Sequence, residues 1–216
     1  YDPYPLMKEH ENYLLLPFEY LLEGIPIILF TNRVFNATFV VGDTCAHPHT
    51  ELNASAATAD VVGAIRVAEA FSNMAEDTFV EAIVDTRVAK LVNGNIIVNW
   101  SDIKTPVTII VGGPGVNYLT YYFNSSLPFF WYFNGTKSVI KSSITNNEYG
   151  CRKHYDHAII ALIKEPNSGK IVLLIWGLSR RGTQAACIAL QEYTKYRSLL
   201  IGRAIILRWT DVNGNK

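Results

Sequence analysis

Apolar residues in this chain gather into short continuous runs separated by polar and Gly/Pro-rich stretches. Runs at 26–30, 38–42, 79–84, 95–98, 106–111, 157–163, 170–176 and 199–209 are rich in Val, Ile, Leu and Phe, the pattern of strands buried on both faces. The run at 106–111 is the clearest, β-branched after Pro106 and closed by Gly112-Gly113-Pro114-Gly115. Helical spacing occurs at 56–70, where Val61, Val62, Ile65 and Ala68 form an apolar stripe, at 116–123, at 184–195, and in a short segment near 13–22. Asn93-Gly94 is a hairpin signal, 166–169 reads as a turn, and 129–133 is expected to pair with 139–144.

Strands alternating with helices predict an α/β fold: a mostly parallel sheet flanked by helices on both faces, in Rossmann-like layers. Residues 1–35 carry Pro3, Pro5, Pro17 and Pro26 and read as an irregular N-terminal extension packing on an α/β domain of residues 36–216. The chain opens on Tyr1 and stops in the turn-rich 211–216, so a removed leader, or a fragment of a longer protein continuing past 216, is expected.

Composition narrows the function classes. Apolar residues make up 49% and charged residues 18%, which gives a core-rich globular chain rather than a disordered one. Formal net charge is zero, which excludes the basic face of a nucleic-acid binder and lowers repulsion between copies of the chain. No apolar run reaches the roughly 18 residues of a membrane span. Five Asn-x-Ser/Thr triplets, at Asn36, Asn53, Asn99, Asn124 and Asn134, exceed the roughly two that composition alone would produce. They are candidate N-glycan acceptors, which work only outside the cytosol, and Asn99, with Trp100 in the middle position, is the poorest of them.

Candidate chemistry is sparse. Cys187 sits in an apolar helical pattern and reads as a buried free thiol. Cys45 and Cys151 occupy polar loops with histidines at His47 and His49, and at His154 and His157. Those loops leave three readings open: a Cys45–Cys151 disulfide, a zinc or softer metal site, or two unrelated loops. No third member for a Cys-His nucleophile pair is evident, and no catalytic residue is assigned. Gly112, Gly113 and Gly115 end a strand and open a helix, while Arg180 and Arg181 stand between a strand and a helix; together they are the candidate anion-binding residues. Asp211, Asn213 and Asn215 place oxygen ligands at alternate positions, as a calcium loop begins. The aromatic stretch 127–133 is either core or a patch for another copy.

Three segments, in order, resemble archaeal surface-layer proteins. Ala54-Ser-Ala-Ala-Thr-Ala-Asp60-Val-Val-Gly-Ala-Ile-Arg-Val-Ala68 is similar to their Ala-rich, Asp-Val-Val helix after the first strand. Ile109-Ile-Val-Gly-Gly-Pro-Gly-Val-Asn117 is similar to their Val-Gly-Gly-Pro-x-x-Asn turn. Lys170-Ile-Val-Leu-Leu-Ile-Trp-Gly-Leu-Ser-Arg-Arg-Gly-Thr-Gln-Ala-Ala186 is similar to their strand, Arg loop and Thr-x-x-Ala-Ala helix. Trp176 stands where the family has a small residue, and the Cys/His loops and the aromatic stretch lie outside the pattern. The resemblance implies a non-enzymatic structural glycoprotein at the cell surface, in an S-layer or cell wall. It would self-assemble into a lattice or filament, with other envelope subunits as further partners, calcium as an assisting ion and no other cofactor. A second reading from the same residues is an extracellular anion- or sugar-binding module.

Overall fold

The computed structural model describes residues 6–7, 12–13, 24–25, 27–43 and 54–211. In chain order its strands are β1 Leu6–Met7, β2 Asn12–Tyr13, β3 Phe30–Thr31, β4 Val34–Val41, β5 Asp77–Val84, β6 Ala89–Val92, β7 Asn95–Val98, β8 Val107–Val111, β9 Phe129–Phe133, β10 Ser138–Ser142, β11 Glu148–Tyr149, β12 Tyr155–Lys164, β13 Ile171–Gly177 and β14 Ala204–Thr210. The helices are α1 Ala54–Ser72, α2 Tyr118–Phe123, α3 Arg180–Gln191 and α4 Tyr193–Tyr196.

Nine strands form one mixed sheet in the order β1-β14-β12-β13-β8-β4-β3, with β2 added to β14 and β5 to β4. The pairs β13–β8, β8–β4 and β4–β5 are parallel; β12 runs antiparallel to both of its neighbours. At 40% strand against 28% helix, with the large sheet curled into a half-barrel, the protein is mostly β. The expected helix-flanked, mostly parallel Rossmann-like layering is therefore corrected.

Two physical causes account for the difference. The turn between β12 and β13 is too short for a crossover, so these strands form a hairpin and not a parallel pair. The Glu165 carboxylate fixes that turn by accepting the Ser168 N–H at 2.6 Å and the Asn167 N–H at 3.0 Å. The second cause is the covering of the outer face. Where a second helix layer was expected stand the antiparallel hairpin β6–β7, the three-stranded sheet β11-β10-β9 and the six-residue α2.

Register divides the core into two layers. Phe35, Phe39, Ile109, Ile175, Ile160 and Leu207 face α1 and α3, and Phe35 meets Phe71 of α1 edge-on with ring centroids 5.7 Å apart. Val40, Ile110, Leu174, Trp176, Ile159 and Ile206 face the other way, against Trp100, Phe123, Phe129 and Ile140. Asn93-Gly94 makes the β6–β7 turn with φ of 51° and 81°, as expected. The same geometry at Asn32 and Arg33, with φ of 52° and 65°, turns β3 into β4; it replaces the expected strand at 26–30 with a 3-10 turn over Ile27–Leu29 and a two-residue strand. The expected 129–133/139–144 pair forms as β9–β10. The short helix expected near 13–22 falls almost wholly outside the described residues, and only Tyr13, in β2, is described.

Helix α1 forms where expected but is turned around. Ala59, Ala64, Val67 and Phe71 are buried, while Val61, Val62 and Ile65 of the expected core stripe are exposed, Ile65 at 60%. The reason is the close crossing with α3: an added Cβ on Gly63 would lie 2.7 Å from Cys187 Sγ, so only the small-residue face fits. Cys187 is the buried thiol expected, and burial pushes its pKa up.

This crossing gives a prediction. Gly63→Ala should cost about 1–3 kcal/mol by overpacking, and Cys187→Ala in the same chain should recover part of it. A double-mutant cycle by urea unfolding measures the coupling, and strictly additive losses would contradict the crossing.

Candidate functional site

Parallel strands β4, β8 and β13 all end at one crest, where their following segments part. After β8 the chain passes to α2, whose Leu119 and Phe123 pack in the outer layer. After β13 it passes to α3, whose Ala186 and Leu190 pack in the inner layer. Neighbouring parallel strands with diverging exits leave a crevice beyond their carboxyl ends, the usual ligand position in open sheets. Here the crevice is a cleft of about 130 Å³ lined by Asp60, the Gly113–Val116 loop, Trp131, Ser138, Trp176, the Gly177–Arg180 loop and Thr183.

Two carboxylates and one amide hold the crest. Asp85, fully buried at the end of β5, accepts the backbone N–H groups of Asp43 (2.8 Å), Thr86 (2.9 Å) and Tyr118 (2.6 Å), so it ties three segments together. Asn117 caps α2: its Oδ1 accepts from the Leu119 N–H at 3.0 Å, and its Nδ2 donates to the carbonyls of Val40 and Val111, both at 3.2 Å. Asp156 does the same for α3. Its Oδ2 accepts from the Ser179 hydroxyl (2.6 Å), the Ser179 N–H (3.0 Å) and the Gly182 N–H (2.9 Å), and its Oδ1 accepts from the His157 N–H (2.7 Å). Burial nevertheless leaves the Asp156 pKa above the ordinary carboxylate value, with the hydrogen bonds opposing the shift.

Asp60 is different. It stands on α1 with 2% of its surface exposed, and its Oδ2 has no hydrogen-bond partner among the described residues. Its other support is the Thr183 hydroxyl, which in turn accepts the Gly177 N–H at 3.0 Å. Burial pushes its pKa from 3.8 up to about 7, against the opposing Thr183 bond. Gly112 makes room for it: at φ 118° an added Cβ there would sit 2.7 Å from Asp60 Oδ2.

The structure brings together part of the expected anion-binding set. Gly113, Gly115 and Arg180 line the cleft, and Gly112 adjoins it beneath Asp60. Arg181 turns away, donating to the Lys153 carbonyl at 2.8 Å and lying over the Trp209 ring. The N-terminal N–H groups of α2 and α3 that would hold an anion are engaged by Asn117, Asp85, Ser179 and Asp156.

The Cys/His residues do not form a described cluster. Cys45, His47 and His49 lie outside the described residues, while Cys151 and His154 are exposed. His157 is buried, with Nδ1 2.7 Å from the Gly150 carbonyl and its ring against Tyr149 and Tyr155. Among the described residues no group of His, Cys, Asp and Glu is placed to hold a metal. Asp211 donates its N–H to the His154 carbonyl; Asn213 and Asn215 lie outside the described residues.

Of the sequons, Asn53 is outside the described residues and Asn99 is exposed. Asn36 is half-buried within β4, and Asn134 is half-buried, donating to Glu148 Oε2 at 2.9 Å. Asn124 is half-buried and bonds the backbone of Trp131 in both directions, at 2.7 and 3.0 Å. The aromatic stretch is divided: Leu127 and Phe129 are core, Tyr132 and Phe133 exposed.

The sequence reading missed Asp60, Asp85 and Asp156. Two of them carry a readable signal, an acid directly flanking a buried apolar run at 79–84 and 157–163, and the third is one of two acids, with Glu69, in the Ala-rich helical stretch 56–70. No family model matches the chain, and no curated protein matches it. No helix among the described residues is long and apolar enough to cross a membrane.

Asp60 makes stability pH-dependent. Its proton is held to about pH 7 in the fold against an ordinary value of 3.8. Its stabilising contribution is therefore complete below pH 3.8 and falls as pH rises to about 7, by at most about 4 kcal/mol at roughly 1.4 kcal/mol per pH unit. Asp60→Asn should flatten this fall, as read from urea midpoints between about pH 4 and 8. An unchanged slope would show that Asp60 is not the titrating group.

Proposed function

We propose that this chain is a structural domain of an extracellular, glycan-bearing assembly, an S-layer or a related surface lattice or filament, whose work is geometric and not catalytic. The observation that carries the reading is the open edge of the large sheet. Strand β5 is eight residues long, and among the described residues it pairs only with β4. Natural edge strands are shortened, bulged, charged or covered to prevent further pairing. β5 carries Asp77 and Glu81, but its apolar side chains still dominate the edge: Phe79, Val80 and Val84 are exposed at 59%, 40% and 39%.

The exposed apolar surface continues onto α1. Val80, Ala82 and Val84 register with Ala37, Phe39 and Val41, the β4 residues on the α1 side of the sheet. α1 meets α3, with Arg66 donating to Gln191 at 3.1 Å, and among the described residues β5 keeps Phe79, Val80 and Val84 exposed. Val61 and Ile65 on α1 add to the strip. A strip of this kind suits burial against another copy or another envelope subunit. The ordered resemblance of three segments to surface-layer proteins and the excess of sequons support the same reading. Asn36, Asn53, Asn99, Asn124 and Asn134 are its candidate glycan acceptors, and calcium is its candidate assisting ion.

Electron microscopy of native protein, with calcium and then with chelator, is expected to show sheets or filaments. Val80→Lys together with Val84→Lys should disperse them to single particles while shifting stability by no more than about 0.5 kcal/mol per site. Dispersed particles from the unmodified protein under both conditions, or assemblies indifferent to the two lysines, would overturn the reading.

A further inference from the structure

The cleft at the crest is independent of the β5 edge and has features of a built site. We propose that it binds one neutral saccharide ring, stacked on Trp131 and hydrogen-bonded through Asp60. The polar floor is Asp60, whose Oδ2 is buried without a partner among the described residues. Such a group costs stability unless something completes its bonding. Trp176, another lining residue, carries a second buried donor without a partner, Nε1. Trp131 is half-buried and supplies an aromatic wall, while Ser138 and Arg180 lie at the margin.

Charge and geometry select the ligand class. A phosphate or carboxylate would have Arg180 at the margin, but the Tyr118, Leu119, Arg181 and Gly182 N–H groups at the starts of α2 and α3 are engaged by Asp85, Asn117, Ser179 and Asp156. It would also face the acid on the floor. A cation would face Arg180. A sugar ring offers hydroxyls that both donate and accept, which suits a carboxyl and a guanidinium in one cleft, and a C–H face that suits an indole. The volume, about 130 Å³, is of the order of a single ring and not a longer oligosaccharide.

Isothermal calorimetry on the full chain tests this with glucose, galactose, mannose and N-acetylglucosamine, each free and as its methyl glycoside, and with glucuronate and inorganic phosphate as anions. At least one neutral sugar should bind saturably with Kd at or below about 10 mM. Asp60→Ala and Trp131→Ala should each weaken it by about tenfold or more, whereas Asp60→Asn, which still donates and accepts, should stay within about threefold. Binding of glycosides as well as free sugars points to a glycan end as the natural occupant; binding of free sugars alone points to a free sugar. The proposal is overturned if no neutral sugar binds at about 50 mM. It is equally overturned if only glucuronate or phosphate binds, or if neither alanine variant changes the affinity. Loss of assembly in the β5 lysine variant without loss of sugar binding would separate this site from the assembly reading.

Discussion

The arrangement at the crest depends on buried side chains that accept the backbone N–H groups left over where the chain leaves parallel strands. A helix start buried against a sheet has orphan donors that water cannot reach, and each costs on the order of 1–3 kcal/mol if unmet. Asp85 and Asp156 supply the missing acceptors, Asn117 supplies an acceptor and two donations, and each bonds elements distant in sequence. Because Asp85 and Asn117 fix α2 on one side and Asp156 fixes α3 on the other, the exits of β8 and β13 are held apart. The cleft is the space that this divergence leaves. Asp60 projects toward the same crest from α1, and Gly112 makes room for its side chain.

Much of the secondary structure was legible because it is encoded locally. The β-branched run before Gly112, the Asn93-Gly94 turn and the apolar runs at 157–163 and 170–176 became strands or turns close to where they were read. Pairing direction was less legible. An apolar run buried on both faces looks the same in a parallel and an antiparallel sheet, and what decides is the connection. Between β12 and β13 the connection is a short turn held by Glu165, which forces a hairpin. The second helix layer failed for a related reason. Residues 89–98 and 129–149 form small sheets whose apolar positions complete the outer core, a role that periodicity alone assigns equally well to helices.

The candidate site was half legible. Glycines at Gly113 and Gly115 and the arginine at Arg180 were visible as a motif, and the fold brings them to one cleft. Their surroundings bear on what they can hold, because the Tyr118, Leu119 and Gly182 N–H groups at the helix starts beside them are occupied by the chain's own carboxylates and amide. Asp60 could not be read as special from an Ala-rich helix. Its burial follows from which face of α1 turns inward, and that is decided by the Gly63–Cys187 crossing, a contact between residues far apart in sequence.

The inversion of α1 links the two functional surfaces. Two apolar stripes run along this helix, one of Val and Ile and one of Ala, Gly and Val with Phe71. Hydrophobicity alone favours burying the larger one. Backbone distance favours the smaller, because α3 and the sheet come too close for branched side chains. Distance prevails, since at Gly63 even one added Cβ would lie 2.7 Å from Cys187 Sγ. Turning the small face inward carries Asp60 into the crest and leaves Val61, Val62 and Ile65 exposed. The buried acid and the exposed apolar strip are thus two consequences of one steric choice. A chain selected only to fold as a monomer would be expected to carry polar residues at Val61, Val62 and Ile65 once that choice is made. In the assembly proposed above, these branched apolar residues are the ones that a partner would cover.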